Sequence, residues 1–449
     1  MKKIIVLSVI ICQLVLSCSS DGSSGDGSSN NLDGLSSDID AILAQPYSKL
    51  NPAEQKVKLE AEANAMLLQM DKSKTSGAIE AIQNLGKLLS ISPIDIFKGK
   101  NDNQIAEILN VSGVYGIYTW SVPRQNWFVT SSSTELKIIF PAKINGTTNN
   151  ATLSSNSTSS TIKVKIEDTY GNFIYNDITG YYGYTPSIFD EIYLPNSVDA
   201  TLNIDNVQVA TFAAKAAYTG TKETPDTSSF KMILKDGYTW EISASKGENN
   251  SAISSLTYLG KNLINMNFNS SAKIDLLLQD NNLNQYLGKA NGLFQIMDNF
   301  MIVANMDIEG LSNDQDISNQ NTPYPDYYSS TYYSDLNTYY KNESNDAVAD
   351  FNRNIKMALV SKIDGTKIAD IIERSEKDYS YYSYSQWSNN YGGYWEYIYP
   401  NPGVLVQYYT RVPYLRFGDQ SEVSMESYFS SGFTTFKTNV ENYLKTFER

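Results

Sequence analysis

Apolar positions along the chain change period twice. From residue 36 to 110 they recur at three- and four-residue spacing: Val57, Ala61, Ala65 and Leu68 form one stripe, and Ala78, Ile82, Leu85 and Leu89 a second. That period predicts helices with one buried face. Asn51, Pro52 and Glu54 open the first stripe as an N-cap, a proline at the first helical position and a glutamate that can reach back to the cap. The second stripe stops at Ser92-Pro93, because proline disfavours helical geometry in the residue before it. Gln104 to Leu109 adds a short third turn.

At Val111 the period falls to two. Leu136, Ile138 and Phe140 alternate with polar positions, as do Ile162, Val164 and Ile166, and Val198, Ala200, Leu202 and Ile204. These are half-buried strands. Asp205-Asn206, Asp236-Gly237 and Gly260-Lys261 supply hairpin turns between consecutive runs, with Tyr238, Trp240, Ile242 and Ala244 as a further inward row. Short turns predict an antiparallel meander, since parallel neighbours need long crossovers. Asn145 to Ser160 is almost wholly Asn, Thr, Ser and Ala and is expected to be a long surface loop.

Ala272 to Leu287 predicts a helix ending at Gly288. Phe294 to Ile308 alternates for too long to be one average strand and is expected to split at Asp298-Asn299. A polar loop from Ser312 to Asp326, a helix from Ser334 to Phe351 and a hairpin about Asp364-Gly365 follow. Phe433, Phe436, Val440, Leu444 and Phe447 mark an amphipathic C-terminal helix over 431–448, expected to dock on a sheet face.

The expected fold is therefore α+β, with a helical segment (35–110) packed on a large curved antiparallel β-sheet, a meander of half-barrel-like form. The sheet begins over 111–270 and continues through an α+β region, 271–449. At fold level this resembles the half-barrels of envelope lipoproteins and lipid carriers, an analogy that assigns no activity.

The first residues carry a different signal. Lys2 and Lys3 precede a short apolar run, Ile4 to Leu16, closed by Val15-Leu16-Ser17-Cys18. Charge, apolar run, small residue and cysteine in that order read as a secretory signal, and the run is shorter than the roughly 20 residues of a spanning helix. Val15, Ser17 and Cys18 resemble the lipobox of bacterial lipoproteins. The resemblance implies removal of residues 1–17 and a diacyl or triacyl anchor, palmitate among its chains, on Cys18. The Ser-, Gly- and Asp-rich stretch that follows, within 18–34, is then a flexible tether. Ser19 stands where an aspartate would imply inner-membrane retention, so the resemblance points to the outer membrane and a cell-envelope location.

Composition narrows the chemistry. The formal charge is −14, and losing Lys2 and Lys3 would make it more acidic, which excludes nucleic acid as a partner. There is no histidine, and Cys12 and Cys18 are the only cysteines. Histidine-dependent triads, histidine metal sites and, once Cys18 is acylated, disulfides and thiolate zinc sites drop out. No phosphate-binding glycine motif occurs. No cofactor and no metal is expected. Asn313 to Ser318 superficially suggests a calcium loop, but counting from Asp314 the sixth position is Asn319 and the twelfth Pro325, where glycine and a bidentate glutamate are needed.

The candidate site is the aromatic stretch Tyr379 to Tyr399, and within it Trp387, Tyr391, Tyr394 and Trp395 around Asn389, Asn390, Gly392 and Gly393. Such rings stack on sugar C–H faces or form rigid contact surfaces; the same composition also suits a hairpin held by cross-strand pairs. Tyr324 to Tyr340 is a second tyrosine-rich stretch. The expected role is that of a membrane-anchored, non-enzymatic binding or assembly protein with a glycan or lipophilic ligand. A carboxylate-dependent glycoside hydrolase and a structural envelope protein are the alternatives.

Overall fold

The structure is a computed structural model that describes residues 32–73, 75–94, 96, 105–109, 111–169, 171–176, 180–277 and 284–430. The predicted signal sequence, Cys18, most of the tether, the start of the third helical turn and the helix at 431–448 lie outside the described residues.

Helix α1 spans Leu32–Leu43, α2 Pro52–Ser73, α3 Gly77–Ile91 and α4 Ile105–Ile108. The first of these begins inside the segment read as tether. Helix α2 opens with the reciprocal cap its sequence predicts: the Asn51 amide donates to Glu54 Oε2 at 2.9 Å, and the Glu54 amide to Asn51 Oδ1 at 3.0 Å. Its buried face is nevertheless not the predicted one. Leu59, Ala63, Met66, Leu67 and Met70 face inward, while Val57 and Leu68 are each 66% exposed. Helix α3 buries Ala78, Leu85 and Leu89 as expected and stops before Ser92, whose backbone is extended.

Twelve strands run in order through the first half of the sheet region: β1 (Gly116–Ser121), β2 (Asn126–Thr130), β3 (Leu136–Phe140), β4 (Ala151–Thr169), β5 (Asn172–Asn176), β6 (Tyr181–Thr185), β7 (Ile188–Ile204), β8 (Val207–Ala217), β9 (Thr227–Leu234), β10 (Tyr238–Ser245), β11 (Asn250–Tyr258) and β12 (Lys261–Ser270). Two single-turn helices, α5 (Ile274–Leu277) and α6 (Asn284–Leu287), stand where one helix was predicted, and Gly288 follows them with φ 58°. Then come β13 (Lys289–Ile296), β14 (Phe300–Asp307), α7 (Ile308–Asn321), α8 (Tyr332–Asn354), β15 (Ile355–Ser361), β16 (Thr366–Tyr382), β17 (Ser385–Ser388), β18 (Tyr394–Tyr397), β19 (Leu405–Arg416), β20 (Glu422–Ser424) and α9 (Met425–Phe429).

Sixteen strands form one sheet in the order β2-β1-β3-β4-β7-β8-β9-β10-β11-β12-β13-β14-β15-β16-β19-β20, which is open because β2 and β20 are its edges. The expected meander is present from β3 onward, but β1 and β3 pair in parallel, so the sheet is mixed and mostly antiparallel. Two expected loops are regular structure. Residues 151–160 are strand, because Ala151, Leu153 and Ser155 turn inward while the hydroxyl side chains between them face outward. Residues 312–321 lie in α7, whose first turn is capped by Asp307 accepting from the Gly310 amide at 2.8 Å.

The largest core joins α2 and α3 to the sheet: Met66, Met70, Leu85 and Leu89 meet Phe140, Leu202 and Tyr238. Further along, Leu59 of α2 packs with Phe300, Leu359 and Leu415. On the other side of the same strands Ile39 of α1 packs with Met301, Val303, Ala358 and Val360. Helices on both sides explain why consecutive residues of β14 and β15 are buried instead of alternating.

Strand direction sorts the connections. Every neighbouring pair from β3 to β20 is antiparallel, so successive connections alternate between the two ends of the sheet. One end carries the tight turns at Asp205-Asn206, Asp236-Gly237, Leu259-Gly260 and Asp364-Gly365. The other end carries every long insertion between these strands: the hairpin β5–β6, the helices α5–α6 and α7–α8, and the hairpin β17–β18. Elaboration confined to one end of a rigid sheet is where binding surfaces are built.

Ion pairs hold three connections of that end together. Lys246, with a side chain only 8% exposed, reaches Asp275 Oδ1 at 2.6 Å and Asp226 Oδ1 at 3.2 Å, and Lys222 also pairs with Asp275. Hydrogen bonds from Lys222 and Lys246 hold the Asp275 carboxyl below its usual range. Burial alone would raise Asp226, but bonds from Thr219 and Lys246 outweigh it and lower it too. Carboxyls depressed in the folded state contribute stability that is present above the unfolded value, about 3.9, and is lost as pH falls through the folded value. The melting midpoint is therefore expected to drop on acidification through and below about pH 4, and Asp275→Asn to flatten that slope. A midpoint-versus-pH curve with the same slope in the variant would contradict this.

Candidate functional site

Helix α8 meets the sheet through a polar seam. Asn337 donates from Nδ2 to the Leu405 carbonyl at 2.9 Å and accepts from the Gln407 amide at 2.7 Å, which fixes the helix against β19. This seam brings the two tyrosine-rich stretches together. Tyr340 lies 4.2 Å from Tyr408, with their hydroxyls 3.2 Å apart, and Tyr379 stacks on the other side of Tyr408 at 4.5 Å. A register shift between Lys377 and Ser380 interrupts the alternation of β16 just where its tyrosines begin.

The hairpin β17–β18 lies beyond these rings. Trp387 and Trp395 are cross-strand partners, their rings edge to face at 5.3 Å. Trp395 then meets Tyr333 of α8 at 4.7 Å and donates from Nε1 to the Tyr327 carbonyl at 3.0 Å. Tyr333 continues through Tyr332 to Tyr327, each step 5.0 Å between ring centres. The result is an aromatic platform that runs from β19 across α8 to the hairpin. The turn needs glycine at Gly393, where φ is 97° and a Cβ would come within 2.2 Å of the Trp387 ring. Tyr391 occupies the left-handed region at φ 52°, a strained position for a side-chain-bearing residue.

Of the four residues picked out in sequence, the structure pairs two. Trp387 and Trp395 share a face and are half-buried. Tyr394 pairs with Ser388 on the opposite face and is exposed, and Tyr391 stands at the tip, 101% exposed. The tyrosines of α8 that complete the platform, Tyr333 and Tyr340, lie in the second tyrosine-rich stretch. Composition marked that stretch, but only the fold shows that it meets the first. Burial pushes the Tyr381 phenol up to about 12. It also raises Tyr332 and Tyr340, with hydrogen bonds to Tyr324 and Tyr408 adding to the effect. These phenols stay protonated at neutral pH, where each can both donate and accept a hydrogen bond.

The nearby polar cleft, about 260 Å³, lies between α7 and α8 and is lined by Glu343, Asp346, Asp350 and Arg411. Asp346 accepts from Thr322 at 3.1 Å, and Asp350 from Ser318 at 2.7 Å and Arg353 at 3.1 Å. The stretch that superficially resembles a calcium loop is part of α7, with Asp314 taken up by Arg353 and Asn354 at 2.7 Å each. Among the described residues no group of three or more acidic side chains is placed to hold a metal ion. No family model, curated protein or solved structure matches the chain.

Proposed function

We propose that the chain is a lipid-anchored cell-envelope protein that binds a glycan, without catalysis, on the platform formed by β17–β18, α8 and β19. One observation carries the reading: rings from two separate tyrosine-rich segments converge in one network while Tyr391, Tyr394 and Tyr397 remain exposed beside it. Flat, uncharged ring faces edged by hydroxyl and amide groups suit hydroxylated ligands with apolar C–H faces. The adjoining cleft is polar, which favours a glycan over an acyl chain. Two of its three carboxylates, Asp346 and Asp350, are engaged by Thr322, Ser318 and Arg353, which favours binding over hydrolysis, since a hydrolase needs two carboxyl groups facing a shared substrate. The finer architecture belongs to the same proposal: a curved, half-barrel-like sheet.

The reading is tested by measuring retention of the mature protein on neutral polysaccharides, with Trp387→Ala as the control. Equal retention of the two forms, or none of either, would overturn it. The anchor is tested separately. Acylation requires the Cys18 thiol, so Cys18→Ser should move the protein from the detergent phase to the aqueous phase or leave an uncleaved precursor. Unchanged partitioning of a processed variant would overturn the anchor and leave the platform untouched.

A further inference from the structure

The hairpin β5–β6 has the same plan as β17–β18, a two-stranded ribbon with aromatic cross-strand pairs. Phe173 pairs with Tyr184 and Tyr175 with Tyr182, each pair 5.1 Å between ring centres, so four rings line one face of a two-stranded ribbon. All four are exposed, as are Ile174 and Tyr181 on the other face. These six side chains are too many to be incidental on a two-stranded tip.

Position joins this hairpin to the first site. It connects β4 to β7, while β17–β18 connects β16 to β19, and both pairs run in the same sense through the alternating sheet, so both hairpins project from the same end. The centres of the two strand pairs are ten strand steps apart in the sheet order, on the order of 50 Å along the sheet. Charge selects the ligand. The described residues of the β5–β6 hairpin, 171–176 and 180–188, contain no charged side chain, and residues 379–404 contain no Lys or Arg and one acid, Glu396, amid Asn, Ser, Thr and Tyr. That surface complements a neutral, hydroxyl-rich chain and offers nothing to anionic headgroups or anionic polysaccharides.

We infer that β5–β6 is a second glycan-binding site and that the ligand is a neutral linear polysaccharide long enough to engage both hairpins at once. The inference rests on the glycan reading of the first platform. Two weak sites held at a fixed separation on one sheet make the second contact intramolecular, which raises affinity for a spanning polymer by roughly 10²–10⁴-fold over a short oligomer.

The test uses the mature chain, hexasaccharides and long polymers of unsubstituted β-1,4- and α-1,4-glucans, and phosphatidylcholine vesicles. Wild type should take up about two hexasaccharides per chain and bind the matching polymer at least about 10²-fold more tightly. Tyr175→Ala/Tyr182→Ala should reduce the stoichiometry to one, abolish the polymer advantage and leave the melting midpoint in place; Trp387→Ala should do the same from the other hairpin. A wild-type stoichiometry of one, unchanged in the double variant, would overturn the second site and leave the first standing. No glucan binding by any form would overturn both readings for this polymer class. Vesicle binding lost in the double variant, without polymer binding, would replace the glycan at β5–β6 by a lipid surface.

Discussion

Met66→Ala should lower stability by about 2–5 kcal/mol, whereas Leu68→Ala, two residues later on the same helix, should change it by less than about 0.5 kcal/mol. Met66 is 2% exposed and sits with Leu85, Leu89 and the inner face of the sheet, so its removal leaves a cavity in the largest core. Leu68 points the other way, and alanine has a high helix propensity, so little packing is lost there. Urea unfolding of the two variants measures the difference directly; equal losses would mean that α2 is seated on its other face.

The same pair shows what could and could not be read in the sequence. Helix α2 has two apolar stripes at helical spacing, Val57-Ala61-Ala65-Leu68 and Leu59-Ala63-Met66-Met70. Periodicity located the helix and its cap but did not choose between the faces. Side-chain size does: the buried stripe contributes a leucine and two methionines against one valine and one leucine, and the burial term grows with apolar area. Strand β4 was hidden for the opposite reason. Its inward positions include Ala151 and Ser155, small residues that look like loop composition until Phe140 and Leu202 are seen packing in the same core. Helix α7 buries no residue fully and depends on contacts with α8, namely Asp314 with Arg353 and Ser318 with Asp350. Its own window carried no apolar stripe to announce it. The tight turns were legible because Asn and Gly at left-handed positions are local chemistry, although the turn read at Gly260-Lys261 lies one residue earlier, at Leu259-Gly260, with Lys261 opening β12. The parallel pairing of β1 with β3 was not, since it depends on which edge was open to a later strand. The platform was half legible: its rings were conspicuous in composition, but the seam that brings Tyr340 to Tyr408 depends on Asn337 contacting strand residues nearly 70 positions away.

Trp387 and Trp395 should separate in their effects although they form one pair. The Trp387 indole donates only to Asn389 within its own turn, at 2.9 Å, so Trp387→Ala leaves the hairpin's contacts with α8 in place. Its expected result is a loss of about 1–3 kcal/mol in glycan affinity, the size of a hot-spot aromatic, with little change in the melting midpoint. Trp395 does more for the fold, because its ring lies against Tyr333 and its indole holds the Tyr327 carbonyl at 3.0 Å. Trp395→Ala should therefore lower affinity and stability together: the Tyr327 carbonyl loses its donor, and the hairpin loses its seat on the helix. Trp395→Phe keeps a ring against Tyr333 without the donor, so it should recover part of the stability and part of the binding. Calorimetric binding and thermal unfolding of the three variants distinguish these roles. If both alanine variants instead lose about 3–5 kcal/mol of stability, the size of a buried aromatic truncation, the pair is core packing and the ligand face must be sought among Tyr391, Tyr394 and Tyr397.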